Sequence, residues 1–261
     1  MLLALDIGNS NVSLGVFRGA ELRMRAKISV QTRRSADEYA AILYDLLRMR
    51  RIPREEISGC ILSSVVPELT GLVEEAARTV TGTVPVRVGP GIRTGFPIRI
   101  DDPSQLGGDL VADTLAALTE YGSPLVIIDA GTVTTIAAVD ESRAYLGGYI
   151  VPGIRQGAAL LEETAALLPS VELAGAEAFS LGKNSADAIR GGLLLSSAMA
   201  VDGFIDLCTA LPGMAGAKCV ATGGSAHLAT ALCRRPVLVD PELTLKGLRC
   251  LYEMNRPKSR K

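Results

Sequence analysis

Met1 to Phe17 reads MLLALDIGNSNVSLGVF, and the organisation of the chain follows from this stretch. Leu2 to Leu5 are a short apolar run, the pattern of a buried strand. Asp6-Ile7-Gly8-Asn9-Ser10-Asn11 gathers turn formers and small polar groups, and Val12 to Phe17 is a second apolar run. The unit predicts a β-hairpin with a polar tip. Gly8 lets a ligand approach the backbone closely, and Asn9, Ser10, Asn11 and Ser13 supply neutral donors. An ionised Asp6 at the end of a buried strand needs partners. A hydrated divalent cation bridging to phosphates is one account of it; an Asx-type turn in a tight hairpin is another.

The pattern occurs twice. Leu125 to Asp140 reads LVIIDAGTVTTIAAVD, so that Asp6, Gly8 and Asn9 correspond to Asp129, Gly131 and Thr132 at a constant offset. An internal repeat at half the chain length implies two similar domains. Two strand-turn-strand units with Asp-x-Gly, hydroxyl-rich tips, facing each other across a cleft, would make a phosphate clamp. This architecture resembles the sugar kinase, actin and heat-shock ATPase superfamily, in which two such loops hold nucleotide phosphates. The resemblance implies an α/β fold: two duplicated actin/ribonuclease H-like domains, residues 1–115 and 116–261, with mixed central sheets and a nucleotide cleft between them.

Composition narrows the function. The 261 residues are 48% hydrophobic and 21% charged, as in a soluble globular protein with a large core. A net charge of −1 offers no global field for nucleic acid or an anionic membrane, so neither is expected as a partner. The absence of Trp, with only 4% aromatic residues, argues against base-stacking surfaces. No apolar run approaches roughly 18 residues, so no spanning helix is expected. Met1 leads straight into the first strand, leaving no room for a signal peptide. Cys60, Cys208, Cys219, Cys233 and Cys250 lack C-x-x-C spacing, and with one histidine in the chain a zinc site is not expected. They read as buried free thiols in a reducing compartment, the cytoplasm.

Periodicity fills in the rest. Glu21 to Ile28 predicts a third strand, and Ser35 or Asp37 caps a helix to Arg51. Ile61 to Val66 predicts a strand, Pro67 starts a helix to Val80, and Val84 to Val88 is a further strand. Gly89 to Gly108 reads as a long functional loop that delivers Leu106-Gly107-Gly108-Asp109 to a helix from Leu110 to Tyr121. Gly147-Gly148 and Val151-Pro152-Gly153 read as loops, Ile154 to Leu168 as a helix, and Asn184 to Ala210 as the longest helix. Its Gly191, Gly192 and Gly203 would let a partner subunit pack closely. Lys218 to Ala221 predicts a strand ending in Thr222-Gly223-Gly224-Ser225, and Leu243 to Met254 a final helix. Arg256 to Lys261 reads as a frayed basic tail.

DIGNSNVSLGVF, SSVVPELT (Ser63 to Thr70), DDPSQLGGD (Asp101 to Asp109), DAGTVTT, YLGGYIVPGI (Tyr145 to Ile154), TAALLPSVEL (Thr164 to Leu173), ATGG (Ala221 to Gly224) and DPELTLKGL (Asp240 to Leu248) occur in order over nearly the whole chain. Together they resemble bacterial type III pantothenate kinases. That resemblance implies transfer of the γ-phosphoryl of ATP to pantothenate, the first step of coenzyme A biosynthesis, in a cytoplasmic homodimer. It implies a first phosphate loop from Asp6 through Ile7, Gly8, Asn9, Ser10, Asn11 and Val12 to Ser13, with Asp6 near a hydrated magnesium ion. It places Thr132 at the ATP phosphates, Gly223 and Gly224 against the adenosine, and a monovalent cation (K+ or NH4+) on Asp129. Gly107, Gly108, Asp109, Leu110 and Ser185 fall at its substrate-binding positions. Asp109 is the implied general base, orienting the alcohol and taking its proton late in a loose transition state. By position alone, Asp109 equally suits the cap of the following helix.

Two positions depart from the family pattern. Ser185 stands where the family has Thr, keeping the donor but losing the methyl that fixes its rotamer. Leu110 stands where most of the family has an Arg that helps bind pantothenate. Loss of a charge-assisted hydrogen bond weakens binding by about ten- to a hundredfold. Arg93, Arg99, Arg155 and Arg190 are the cations that can substitute. The departure also motivates two alternatives: a kinase of another small alcohol, and a nucleotide-binding regulator without turnover. His227 follows the TGGSA turn and reads as a packing or surface residue.

Overall fold

Alternation of apolar side chains builds the first sheet. In a computed structural model, which describes residues 1–31, 33–173 and 181–256, strands β1 (Leu2–Ile7), β2 (Asn11–Arg18) and β3 (Glu21–Ser29) form an antiparallel meander. The tail expected beyond Arg256 lies outside the described residues. Strand β4 (Gly59–Ser64) joins β1 in parallel and β5 (Val86–Arg87) joins β4, giving the order β3-β2-β1-β4-β5. One face, including Leu3, Leu5, Ile7, Leu14 and Leu62, packs under helices α1 (Ala36–Met49) and α2 (Pro67–Thr81). Helix α1 starts at Ser35 in a reciprocal capping box, Ser35 N–H donating to Glu38 Oε2 at 2.7 Å and Glu38 N–H to Ser35 Oγ at 3.3 Å. Pro67 opens α2, and Gly82, at φ +70°, closes it.

The opposite face, with Leu2, Ala4, Phe17 and Ile61, is covered by helix α7 (Leu243–Asn255). A Cβ on Gly15 would lie 3.1 Å from Leu245 Cδ1, and one on Gly247 would strike the backbone of Ala112 in helix α3 (Gly108–Glu120). Unit 1 of the fold therefore comprises Met1–Gly95, Asp102–Ala116 and the chain from Leu243 onward. The final helix completes the sheet that the first strand begins.

Unit 2, Phe96–Asp101 and Ala117–Glu242, repeats the plan. Strands β6 (Leu125–Ala130), β7 (Val133–Val139) and β8 (Tyr145–Pro152) form an antiparallel meander. Strand β9 (Lys218–Thr222) joins β6 in parallel and β10 (Leu238–Val239) joins β9, so the order is β10-β9-β6-β7-β8. Strands β1 and β6 even share one burial pattern, with a half-buried Asp one residue from the end. Gly147, Gly148, Val151 and Pro152, expected in loops, lie in β8. A Cβ on Gly148 would strike Ile136 O on β7, so glycine here serves close strand approach rather than a turn.

Helices α4 (Ile154–Thr164), α5 (Ser185–Thr209) and α6 (Ala226–Ala229) complete unit 2, and α4 stops four residues before the expected Leu168. Val126, Ile128 and Ile136 pack with Val201 and Ile205 of α5. By length and composition alone α5 could cross a bilayer, which the sequence reading did not expect. Its buried side makes it a core helix of unit 2. The two mixed five-stranded sheets are the duplicated α/β fold expected from the repeated hairpin.

Candidate active site

Register brings polar side chains together at the tip of the first hairpin. Asp6 pairs with Ser13 on β2 and lies beside Ser63 on β4, and residues in register share a face. Gly8 N–H donates to Asn11 O at 3.0 Å and closes the turn, leaving Asn9 and Ser10 exposed. Ser63 is fully buried, and its Oγ has no hydrogen-bond partner among the described residues. Gly108 lies over it: a Cβ there would be 2.9 Å from Ser63 Oγ and 3.0 Å from Val88 Cγ1. The absence of a side chain on Gly108 is what lets the head of α3 rest on β4 at the level of Asp6.

Asp109 is the next residue. Helix α3 begins at Gly108 rather than Leu110, so Asp109 lies inside the first turn and is not the residue before it. Its Oδ1 accepts the N–H of Leu110 at 2.8 Å. A Cβ on Gly107 would fall on that same oxygen, so Gly107 leaves room for the carboxylate. Burial pushes the Asp109 carboxyl above its ordinary range, and the backbone N–H groups of Leu110 and Asp109 offset only part of this. A carboxylate so placed holds a proton more readily than an exposed aspartate. Leu110 is half-buried and adds no charge or side-chain donor.

Unit 2 repeats the row around Asp129, which pairs with Thr135 on β7 and lies beside Thr222 on β9. Gly131 N–H donates to Val133 O at 2.9 Å, so this turn is one residue shorter than the first. Thr132 O accepts Gly153 N–H at 3.1 Å, tying the turn to the head of α4. Gly223 has φ +94°, and a Cβ there would strike Asp129 Oδ1 and Ala130 O. Ser225 N–H donates to Ala130 O at 2.8 Å. The Gly-rich turn thus packs on the second Asp loop, bringing Asp129, Thr132 and Gly223 together, with Gly224 exposed beside them.

Thr135 Oγ1 is buried without a hydrogen-bond partner among the described residues. Sequence reading missed both Ser63 and Thr135. The available signal was a hydroxyl at the end of each apolar strand, but only strand pairing sets it beside an Asp. Asp129 and Thr135 present only oxygen donors, which suits a hard cation rather than a thiophilic metal.

Ser185 is the exposed first residue of α5, whose cap is Asn184, with Asp187 N–H donating to Asn184 Oδ1 at 2.9 Å. Three of the four candidate arginines are engaged. Arg93 donates to Met254 O, Arg99 pairs with Asp140 at 3.1 Å, and Arg190 donates to Glu172 O at 3.1 Å and pairs with Asp187 at 3.3 Å. Arg155 is exposed in the first turn of α4. His227 is exposed in α6. The cysteines are free thiols, Cys60, Cys208 and Cys219 buried and Cys233 and Cys250 half-buried. Burial pushes Cys60 up to about 12, which makes that thiol unreactive.

The model describing type III pantothenate kinase matches residues 2–207. Among similar proteins, a type III pantothenate kinase of Moorella thermoacetica is 39% identical over 257 residues, covering 98% of this chain and 100% of that one. One from Rubrobacter xylanophilus is 38% identical over 264 residues, with 100% of both chains covered. Among solved structures, a Baf family protein from Campylobacter jejuni superposes with a TM-score of 0.59 at 18% identity, covering 96% of this chain and 97% of its own. The ethanolamine utilization protein EutJ from Carboxydothermus hydrogenoformans gives 0.57 at 14% identity, covering 97% and 89%. At these identities the structural likeness is one of fold.

Proposed function

The chain belongs to the type III pantothenate kinase family, ATP-dependent enzymes of coenzyme A biosynthesis with the sugar kinase, heat-shock ATPase and actin fold, and on that premise we propose how its own residues carry pantothenate phosphorylation. The primary hydroxyl oxygen of pantothenate forms a bond to the γ-phosphorus of ATP. The bond from that phosphorus to the β–γ bridging oxygen breaks, releasing ADP and 4'-phosphopantothenate. The hydroxyl proton passes to the Asp109 carboxylate. Asp109 carries this reading, because burial has raised its affinity for a proton at a position that two glycines keep open.

The remaining roles follow the two Asp rows. Asp6 to Ser13 bind the ATP phosphates, with Thr132 contributing from the second hairpin and Gly223 and Gly224 lying against the adenosine. Gly107, Gly108, Leu110 and Ser185 bind pantothenate with Asp109. Asp6 holds magnesium through water and Asp129 holds potassium or ammonium; these ions supply positive charge that offsets the phosphates. The unpartnered hydroxyls of Ser63 and Thr135, one beside each Asp, support a hydrated or oxygen-liganded cation at both places.

The working form in this reading is a cytoplasmic homodimer built on α5. Leu195, Met199, Gly203 and Leu207 recur every four residues along it, with Met199 64% and Leu207 57% exposed and open space above Gly203. Such an apolar stripe fits a second copy of the chain.

The test is ADP release with ATP, magnesium and potassium, with and without pantothenate, for wild type and Asp109→Asn. Pantothenate-dependent turnover that falls at least ~100-fold in the variant is the expected result. ATP binding without pantothenate-dependent turnover overturns it. A panel of other small alcohols in the same assay tests the second reading, another acceptor, which Leu110 motivates.

A further inference from the structure

Asp6 belongs to a longer row than its two serines. Lys27 on β3 lies in register with Ser13, Ser13 with Asp6, and Asp6 with Ser63. Met24 and Ile28 belong to the core under α1 and α2, with Ala26 packed against it. Arg25 and Lys27 therefore lie on the opposite face, that of Asp6. On the inner strands β1, β2 and β4 the chemistry of that face changes at one level. Leu2, Ala4, Phe17 and Ile61 are buried and apolar. From Asp6 onward the same face carries Asn11, Ser13, Lys27 and Ser29 beside Ser63. A sheet face that turns polar at the phosphate-loop end is suited to a polar ligand rather than to core packing.

The duplication supplies an internal comparison. In unit 2 the equivalent row is Ile150, Thr135, Asp129, Thr222. The Asp and both flanking hydroxyls recur; the outermost position changes from lysine to an isoleucine that is 72% exposed. The cation is therefore particular to the first unit and is not demanded by the scaffold.

Charge points the same way. The segments 6–13, 107–110, 129–135 and 222–225 contain Asp6, Asp109 and Asp129 and no Lys or Arg. ATP adds several negative charges, and transfer shifts charge onto the phosphoryl and leaving oxygens. Two strand spacings separate Lys27 from Asp6, about 10 Å between Cα atoms. The four-carbon stem of lysine can span much of that distance.

We propose that Lys27 is a catalytic residue that donates hydrogen bonds from its ammonium to the terminal phosphates of ATP, above Ser13 and beside Asp6. The proposal rests on the reading of Asp6 to Ser13 as the ATP phosphate loop. It is tested by titrating ATP and adenosine, with magnesium, into the full chain carrying Lys27→Met, Lys27→Arg or Arg25→Met. Arg25 lies on the same face, opposite Gly15 and one step farther from the loop. Lys27→Met should lose about 10- to 100-fold in ATP affinity and nothing for adenosine. Lys27→Arg should retain most of the ATP affinity and Arg25→Met all of it. An unchanged ATP affinity in Lys27→Met, or an equal loss for adenosine, overturns the proposal. A wild type that binds no ATP overturns the phosphate-loop reading with it. A wild type that binds ATP without phosphorylating pantothenate still decides the role of Lys27.

Discussion

Burial makes the ionised form of Asp109 costly. In the unfolded chain its carboxyl titrates near ~3.9, and in the folded protein burial moves it upward. The folded state therefore binds the proton more tightly. Stability falls as pH rises from the unfolded value through the folded one, and the deficit persists at neutral pH. Asp109→Asn removes the charge that burial penalises. The variant should melt at a higher temperature than wild type at about pH 7 and at nearly the same temperature near pH 3. Melting curves at the two pH values check this, and a variant less stable at neutral pH would falsify the account. In the wild type, kcat should decline on the acid side at a pH above the ordinary aspartate range. Its neighbour Leu110 offers a gain instead: Leu110→Arg restores a cation beside Asp109 and should lower the KM for pantothenate about tenfold.

At the scale of the element, one substitution should act with opposite signs in two places. Gly71 lies inside α2 with open space where a Cβ would go, so Gly71→Ala should stabilise by about 0.5–1 kcal/mol. Gly223, at φ +94° against Asp129 and the carbonyl of Ala130, should lose at least ~1–3 kcal/mol as Ala, and adenosine binding with it. Denaturant midpoints for both variants measure the contrast. The same elements show what a linear sequence discloses. The hairpins were legible because Asp-x-Gly between apolar runs is local and occurs twice. β8 was not, because its glycines, which read as turn formers, instead serve close contact with β7. Nor did the constant offset disclose that the second turn is a residue shorter, since the incoming strands alone fix that offset. Ser63 and Thr135 became visible only through register with Asp6 and Asp129. The raised proton affinity of Asp109 depends on burial, which no spacing encodes.

At the scale of the whole molecule, the apolar stripe on α5 makes a prediction about assembly. Met199→Glu places a charge in the middle of that stripe and should convert a dimer to monomers, read by sedimentation velocity. A variant that sediments like wild type would remove α5 from the interface. The placement of α7 has a different consequence, in the order of biosynthesis. The ribosome makes all of unit 2 before it makes the helix that covers Leu2, Ala4, Phe17 and Ile61. During that interval the nascent first sheet has one face packed and the other bare, while unit 2 has every strand it needs. Unit 2, although second in the chain, is thus the half that can mature first. The Asp6 half must wait, with its apolar face available to chaperones, until translation has supplied Leu243 to Asn255.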